Sequence, residues 1–320
     1  MTTAAAPSRP DTLPVSVDFR SAPQQALSIV DVPIEGMDVA GFKLLAPATR
    51  QPRTEVWQTI DRFAGQPGVR SLDEYIARDP YPLPDTPDRE GYHGQRHFAW
   101  WVSGLCDYLQ ITQNMARHGV PLRRGDQVLD LGCASGRTMR HFACQGDDLT
   151  IYGVDIKRSN VDWCTRFLPR NVRPVLGVNV PKLPIADNSL ALAYAFSVFT
   201  HIDDFETAWL AEIHRVLKPG GVAYLTIHSE RLWTRMNTQH PIYNALLRHK
   251  DNKEYPVDPE QFKSPMPADR VVFKMGPALH HVNVFHSDRY LHQVWGRFFD
   301  IAEIIETNDM VQAEVVLIKR

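Results

Sequence analysis

Val128-Leu129-Asp130-Leu131-Gly132-Cys133-Ala134-Ser135-Gly136-Arg137 decides how the chain is read. An apolar run carrying one acid gives way to small residues, and a helical pattern follows to about residue 144. This predicts a buried strand, a tight turn and a helix. Gly132 and Gly136 have no Cβ, so the backbone between them can approach a ligand closely. The stretch lacks the GxGxxG spacing of a phosphate cradle. Asp130 at the strand end suits hydroxyl or ammonium groups better than a pyrophosphate.

Three later segments share the placement of that turn. Asp155, in Tyr152-Gly153-Val154-Asp155-Ile156, ends the next strand about twenty residues after Gly132, where a carboxylate can accept from ribose hydroxyls. Asn179 and Val180 follow the strand 172–178, and an amide there can meet an adenine edge. Phe196-Ser197-Val198-Phe199-Thr200-His201 ends the strand predicted over 189–199. In open α/β sheets ligands bind outside the carboxyl ends of strands, and all four segments lie at such ends in successive order. A helix over 205–217 places Phe205, Trp209, Ile213 and Val216 on one face, read as core. Pro219-Gly220-Gly221 stops that helix and turns the chain into the strand 222–229.

Strands alternating with helices over 95–230 predict parallel strands with crossover connections. Residues 1–94 form a proline-rich N-terminal arm. It has candidate short strands over 26–45 around turns at Glu35-Gly36 and Ala40-Gly41, a helix over 55–64, and a second helix opened by the capping-box pair Ser71 and Glu74. Residues 231–285 break the rhythm with a polar, aromatic, histidine-rich insertion. Strands and a helix capped by Ser287 then resume over 287–320. The domain reading is an arm, 1–94, and a catalytic domain, 95–320, with 231–285 as a lid-like insertion.

Taken together, DLGCASGR, the acidic GVDI, LPIADNSL, SVFTHI and LKPGG resemble the class I S-adenosylmethionine-dependent methyltransferases, over roughly 95–230 and again 287–320. The likeness is to bacterial members with a GC(A/G)SGR turn and an SVFTH strand end. It implies an α/β, Rossmann-like, seven-stranded sheet with flanking helices and an antiparallel last strand, and S-adenosyl-L-methionine as cofactor. It places Gly132 and its turn, with Cys133 and Gly136, at the methionine moiety, Asp155 at the ribose, and Asn179 with Val180 at the adenine, and Asp130, Ile156 and Phe196 complete the expected cofactor-binding set. Ala134 stands where many members have glycine, and Asn179 where many have aspartate.

His201 and His228 end successive strands near where the methyl group would sit. Each is a candidate general base, and each can equally be a cap or packing histidine. The acceptor expected is the hydroxyl of a small molecule or glycan, with N-methylation of a small molecule or peptide as alternative. A non-catalytic, cofactor-binding scaffold is the rival from another class. A nicotinamide oxidoreductase is disfavoured by the absent GxGxxG. His280, His281 and His286 have no recognised ligand spacing, so no metal is assigned. The net charge is −2, from 35 Lys+Arg and 37 Asp+Glu, which gives no reason to expect nucleic acid. Four cysteines without a CxxC pair read as free thiols, the N-terminus has no apolar leader, and no run is long enough to span a bilayer. The expected location is cytoplasmic, with the arm as a candidate homodimer surface.

Overall fold

The computed structural model describes residues 38–39, 41–53, 59–306 and 311–320. The N-terminal part pairs β1 (Asp38–Val39) with β2 (Phe42–Leu45), and β2 with β3 (Leu83–Pro84), all antiparallel. The turn between β1 and β2 uses Gly41 at φ 83°. The rest of the 26–45 expectation, including Glu35-Gly36, lies outside the described residues. So does the start of the 55–64 helix, of which Ile60–Phe63 is a 3-10 turn. Helix α1 (Leu72–Ala77) opens on the capping box predicted from sequence. Glu74 N donates to Ser71 Oγ, and the Glu74 carboxylate accepts from Ser71 N.

Helix α2 (His97–Arg117) leads into the core. There follow β4 (Gln127–Leu131), α3 (Met139–Gln145), β5 (Thr150–Asp155), α4 (Arg158–Phe167), β6 (Val172–Leu176), β7 (Leu190–Ala195), α5 (Glu206–Val216) and β8 (Leu217–Ser229). Next are α6 (Glu230–Trp233), α7 (Pro241–Leu247), β9 (Arg270–Lys274) and β10 (Val282–His286). The chain then runs through α8 (Asp288–Val294), β11 (Asp300–Ile305) and β12 (Ala313–Ile318).

One sheet runs β11-β12-β8-β7-β4-β5-β6, with β10 attached to β8 and β9 to β10, making nine strands. Strands β4 to β8 are parallel, and β12 is antiparallel to both of its neighbours. The chain leaves β4 toward β5 and β6 on one side and returns to β7 on the other. That reversal opens a crevice at the β4 tip. Apolar side chains of α2, α3 and α4 cover one face of the sheet, including Trp101, Phe142 and Trp163. Those of α5 and α8, with Trp295, cover the other.

The N-terminal part is docked by a buried ion pair. Arg140 of α3 donates to both oxygens of Asp79, at 2.6 and 2.8 Å, and Trp101 Nε1 donates to the same carboxylate at 2.7 Å. Burial works to raise the Asp79 carboxyl, but the Arg140 guanidinium outweighs it and holds the group below its ordinary value.

Four expectations change. The sheet exceeds seven strands because the insertion supplies β9 and β10. The insertion has its own core of Trp233, Leu246, Phe262, Phe273 and Phe285, and its tie to the sheet is parallel pairing of Phe285 and His286 with His228 and Ser229. The strand predicted over 189–199 ends at Ala195, because Ser197 turns the chain at φ 56°. Phe205 leaves the predicted core face and is 51% exposed, since it sits at φ 64° ahead of α5, whereas Trp209, Ile213 and Val216 are buried. Pro219-Gly220-Gly221 lies within β8 rather than before it.

Candidate active site

The turn after β4 owes its shape to two glycines in the left-handed region, Gly132 at φ 77° and Gly136 at φ 81°. A Cβ on Gly132 would lie 2.4 Å from Val198 Cγ2, so this turn and the one after β7 close on each other here. On its far side the turn meets α2. A Cβ on Gly104 would lie 2.1 Å from Arg137 O. Arg137 pairs with Asp107 of α2 at 2.6 Å and lies over the Phe196 ring at 5.9 Å. Cys133 is buried beneath the turn. Its contact with Cys164, together with burial, holds its thiol well above the ordinary value, so it is a neutral wall.

Asp155 braces the same turn from β5. One carboxylate oxygen accepts from Ala134 N at 2.9 Å, and the other from Lys157 N at 2.8 Å and Asn160 Nδ2 at 3.3 Å. A carboxylate has about four acceptor positions, so capacity is left for a ribose hydroxyl. Beside it Ile156 (47% exposed) directly follows β5, and Val178 (57%) and Val180 (48%) follow β6, with Asp155 and Leu176 in register. Large apolar side chains left uncovered together at strand tips suit the face of a purine. Asn179 is exposed between the two valines.

Asp130 is buried and accepts from Tyr194 Oη at 2.8 Å. Burial pushes its carboxyl up to about 7 against the pull of Tyr194 and Arg137. Phe196 is half-buried at the end of β7, its ring near those of Tyr194 and Tyr224.

A loop from the N-terminal part spans both ends of this crevice. Glu90 accepts from Lys157 Nζ and Asn160 Nδ2, beside Asp155. His93 Nε2 lies 3.2 Å from Ser103 Oγ, which also accepts from Arg137. Burial, then Arg137, Arg89 and Arg96, push His93 down to about 4, leaving it neutral. Glu90, Gly91, His93 and Gly94 all have positive φ, and Tyr92 among them is exposed. Tyr194, Glu90, His93 and Asn160 were missed from sequence. Only the tertiary fold brings them to the crevice, and Arg137 alone carried a signal, as the last residue of the turn motif.

The two candidate bases lie together at the joint with the insertion. His201, half-buried in a 3-10 turn after β7, donates through Nδ1 to Val282 O of β10 at 2.6 Å. Burial lowers its pKa. His228 is fully buried on β8, with Nε2 3.2 Å from Asn283 Oδ1, and burial pushes it down to about 3. Among the described residues no group of three or more His, Cys, Asp or Glu is arranged to hold a metal ion.

Residues 129–225 match the family model of a methyltransferase domain. That segment runs from β4 into β8 and contains Asp130, Asp155, Asn179, Phe196 and His201. The chain thus carries an S-adenosylmethionine-dependent methyltransferase domain. It is similar to the O-methyltransferase rstn1 of Aspergillus nomiae, 34% identical over 101 residues, which are 30% of this chain and 44% of that protein. It is also similar to 24-methylenesterol C-methyltransferase 2 of Arabidopsis thaliana, 29% identical over 203 residues (61% and 55%). The botryococcene C-methyltransferase of Botryococcus braunii is 36% identical over 206 residues (57% and 54%). The chain spans about half the length of the curated relatives it matches. Among solved structures, the 1,6-didemethyltoxoflavin-N1-methyltransferase of Burkholderia thailandensis aligns with a TM-score of 0.45 at 16% identity, covering 78% of this chain and 91% of that one. No helix among the described residues is long and apolar enough to cross a membrane.

Proposed function

We propose that the protein transfers the methyl group of S-adenosylmethionine to the hydroxyl of a small molecule, with His201 as general base. The observation that carries this is the crevice at the β4 tip. There one carboxylate, Asp155, braces the Gly132 turn while Ile156, Val178 and Val180 stand uncovered beside it. These residues fit an adenosyl group. Asp155 meets the ribose, the apolar trio meets the adenine, and the turn with Arg137 and Phe196 meets the methionine end. When bound, the sulfonium supplies a methyl group that is already activated.

The chain's own residues then have three tasks. The crevice and the loop carrying Tyr92 hold the reacting groups in line, an effect worth up to about 7–11 kcal/mol in the best cases. The insertion, acting as a lid, shields the site from water. His201 takes the acceptor's proton. A carbonyl only accepts, so its bond to Val282 O places the hydrogen on Nδ1 and leaves the Nε2 lone pair available. Its lowered pKa keeps the ring neutral near pH 7. His228 suits this task less, because a group held at about 3 is a weak base.

A second reading is methylation at carbon, favoured by the sterol and botryococcene C-methyltransferases among the relatives. A carbon acceptor also gives up a proton after the new bond forms, so His201 serves either chemistry. The test begins with calorimetric titration of S-adenosylhomocysteine. Transfer of labelled methyl from S-adenosylmethionine follows, onto a panel of hydroxylated small molecules, isoprenoids, amines and glycans. Binding and labelling of a hydroxylated compound that His201→Gln abolishes is expected. No binding by folded protein overturns the proposal, and labelling confined to amines replaces the acceptor class.

A further inference from the structure

We infer that Arg270, in the insertion and outside the cofactor crevice, is the residue that positions His201 for proton transfer. The inference rests on the reading of His201 as base and names what orients it.

Arg270 opens β9 and makes four hydrogen bonds to the short segment that follows His201 and opens α5. Nη2 donates to Ile202 O and Asp203 O, both at 3.1 Å, Nη1 to Asp203 Oδ1 at 2.9 Å, and Nε to Glu206 Oε2 at 2.7 Å. Three nitrogens thus make four contacts on two carbonyls and two carboxylates, Nη2 making two of them, so the guanidinium fixes the path of the backbone immediately after His201. A planar fork of this kind constrains direction as well as distance.

The same strand pair fixes the ring. Arg270 lies opposite His286 across the β9–β10 ladder, and β10 begins at Val282, whose carbonyl takes the His201 Nδ1 hydrogen. Glu206 closes the circuit. It accepts from Trp295 Nε1 at 2.7 Å and lies 3.2 Å from His286 Nε2, so elements before and after the insertion meet on one buried carboxylate. Burial works to raise that carboxyl, but His286, Arg270 and Trp295 together hold it below its ordinary value, so it stays ionised as the anchor. Backbone after His201 and ring of His201 are therefore held by one strand pair through two independent sets of bonds. The titratable groups facing His201 are His228 on β8 and His280 and His281 on the loop before β10.

Full-length protein with isotope-labelled histidine tests this by NMR, reading the tautomer and titration of His201 in the native chain, Arg270→Gln and Arg270→Lys, with calorimetric titration of S-adenosylhomocysteine alongside. Native His201 is expected as the Nδ1–H tautomer, titrating below the unperturbed value of about 6.5. In Arg270→Gln the ring becomes a mixture of tautomers and its titration moves up toward that value. Arg270→Lys, which keeps charge without the fork, gives a smaller shift in the same direction and serves if the Gln variant does not fold. Affinity for S-adenosylhomocysteine is expected to stay within about twofold, as for a distant site. Unchanged tautomer and titration in a folded variant overturns the inference. A loss of affinity equal to that of crevice variants also overturns it, by making Arg270 a general structural residue. A His201 that follows Arg270, in a chain whose labelling activity survives His201→Gln, removes the base role while leaving the positioning intact.

Discussion

The crevice at the β4 tip and the insertion at the end of β8 solve the problem of holding a shape in opposite ways. The crevice is made of short turns whose geometry is set by backbone: two left-handed glycines, one bracing carboxylate, and apolar side chains left in the open. The insertion is held by packing, with Trp233 surrounded by Phe262, Phe273 and Phe285, and by one buried charge cluster on Glu206. A site that must receive a ligand leaves surface uncovered, and a segment that must stay put covers its own. The two regions should therefore respond differently to substitution, one in affinity and the other in stability.

The largest expected effect falls on the insertion. Trp233 is fully buried, and Trp233→Ala should cost about 3–5 kcal/mol in the stability of the part it packs, through lost burial and the cavity left. Urea unfolding followed by fluorescence measures it. If the regions are as separate as their cores imply, S-adenosylhomocysteine affinity stays within about twofold. A collapse of affinity in a variant with intact β4–β8 would join the two.

Next come two buried carboxylates, one on each side of the comparison. Glu206 meets Arg270, His286 and Trp295 and is held low, whereas Asp130 accepts from the Tyr194 hydroxyl and is pushed up to about 7 by burial. Unfolded, Asp130 titrates near 3.8. Between those values the folded chain binds the proton more tightly, so its contribution to stability falls as pH rises through that window. Glu206 acts the other way: its stabilisation is present above its unfolded value and is lost as pH falls. Asp130→Asn should flatten the loss of stability between pH 5 and 8 by on the order of 3 kcal/mol. Urea midpoints at the two pH values measure it, and an unchanged difference would mean that Asp130 is ionised in the fold.

Asp155→Ala should weaken S-adenosylhomocysteine binding by about 1–3 kcal/mol, the range for losing hydrogen bonds to a charged group. Because the carboxylate also holds Ala134 N, part of the loss should appear as a lower melting temperature. Asp155→Asn keeps an acceptor oxygen and should recover some of both. Calorimetry on the two variants separates ribose contact from turn bracing, and full affinity in Asp155→Ala would remove the ribose from this position.

How much of this was legible follows the same division. Gly132, Gly136 and Asp155 could be read because each answers a local demand, positive φ or an acid at a strand tip, that leaves a mark at fixed spacing. The capping box at Ser71 was legible for the same reason. Phe205 misled because helical periodicity does not show where a helix starts, and one left-handed residue turned its side chain outward. The insertion's polar, histidine-rich composition concealed a packed aromatic core and two strands. Its apolar residues are spaced by the tertiary fold, without a period of two or of 3.6. Arg270 and Glu206 were invisible because their meaning is a contact across 64 residues.

The smallest effect gives the sharpest contrast, because it compares two residues equally open to solvent. Ile156 at the β5 tip and Leu279 in the insertion are each 47% exposed. Neither should matter much to stability, since surface substitutions away from special features cost little. Ile156, however, stands beside Asp155, where an adenine face would cover it. Burying some 40 Å² of its apolar surface is worth about 1 kcal/mol. Ile156→Ser should weaken S-adenosylhomocysteine binding about fivefold with an unchanged melting temperature, while Leu279→Ser leaves both unchanged. Equal behaviour of the two variants in calorimetry would mean that exposure at the β5 tip is ordinary surface and that the purine lies elsewhere along the crevice.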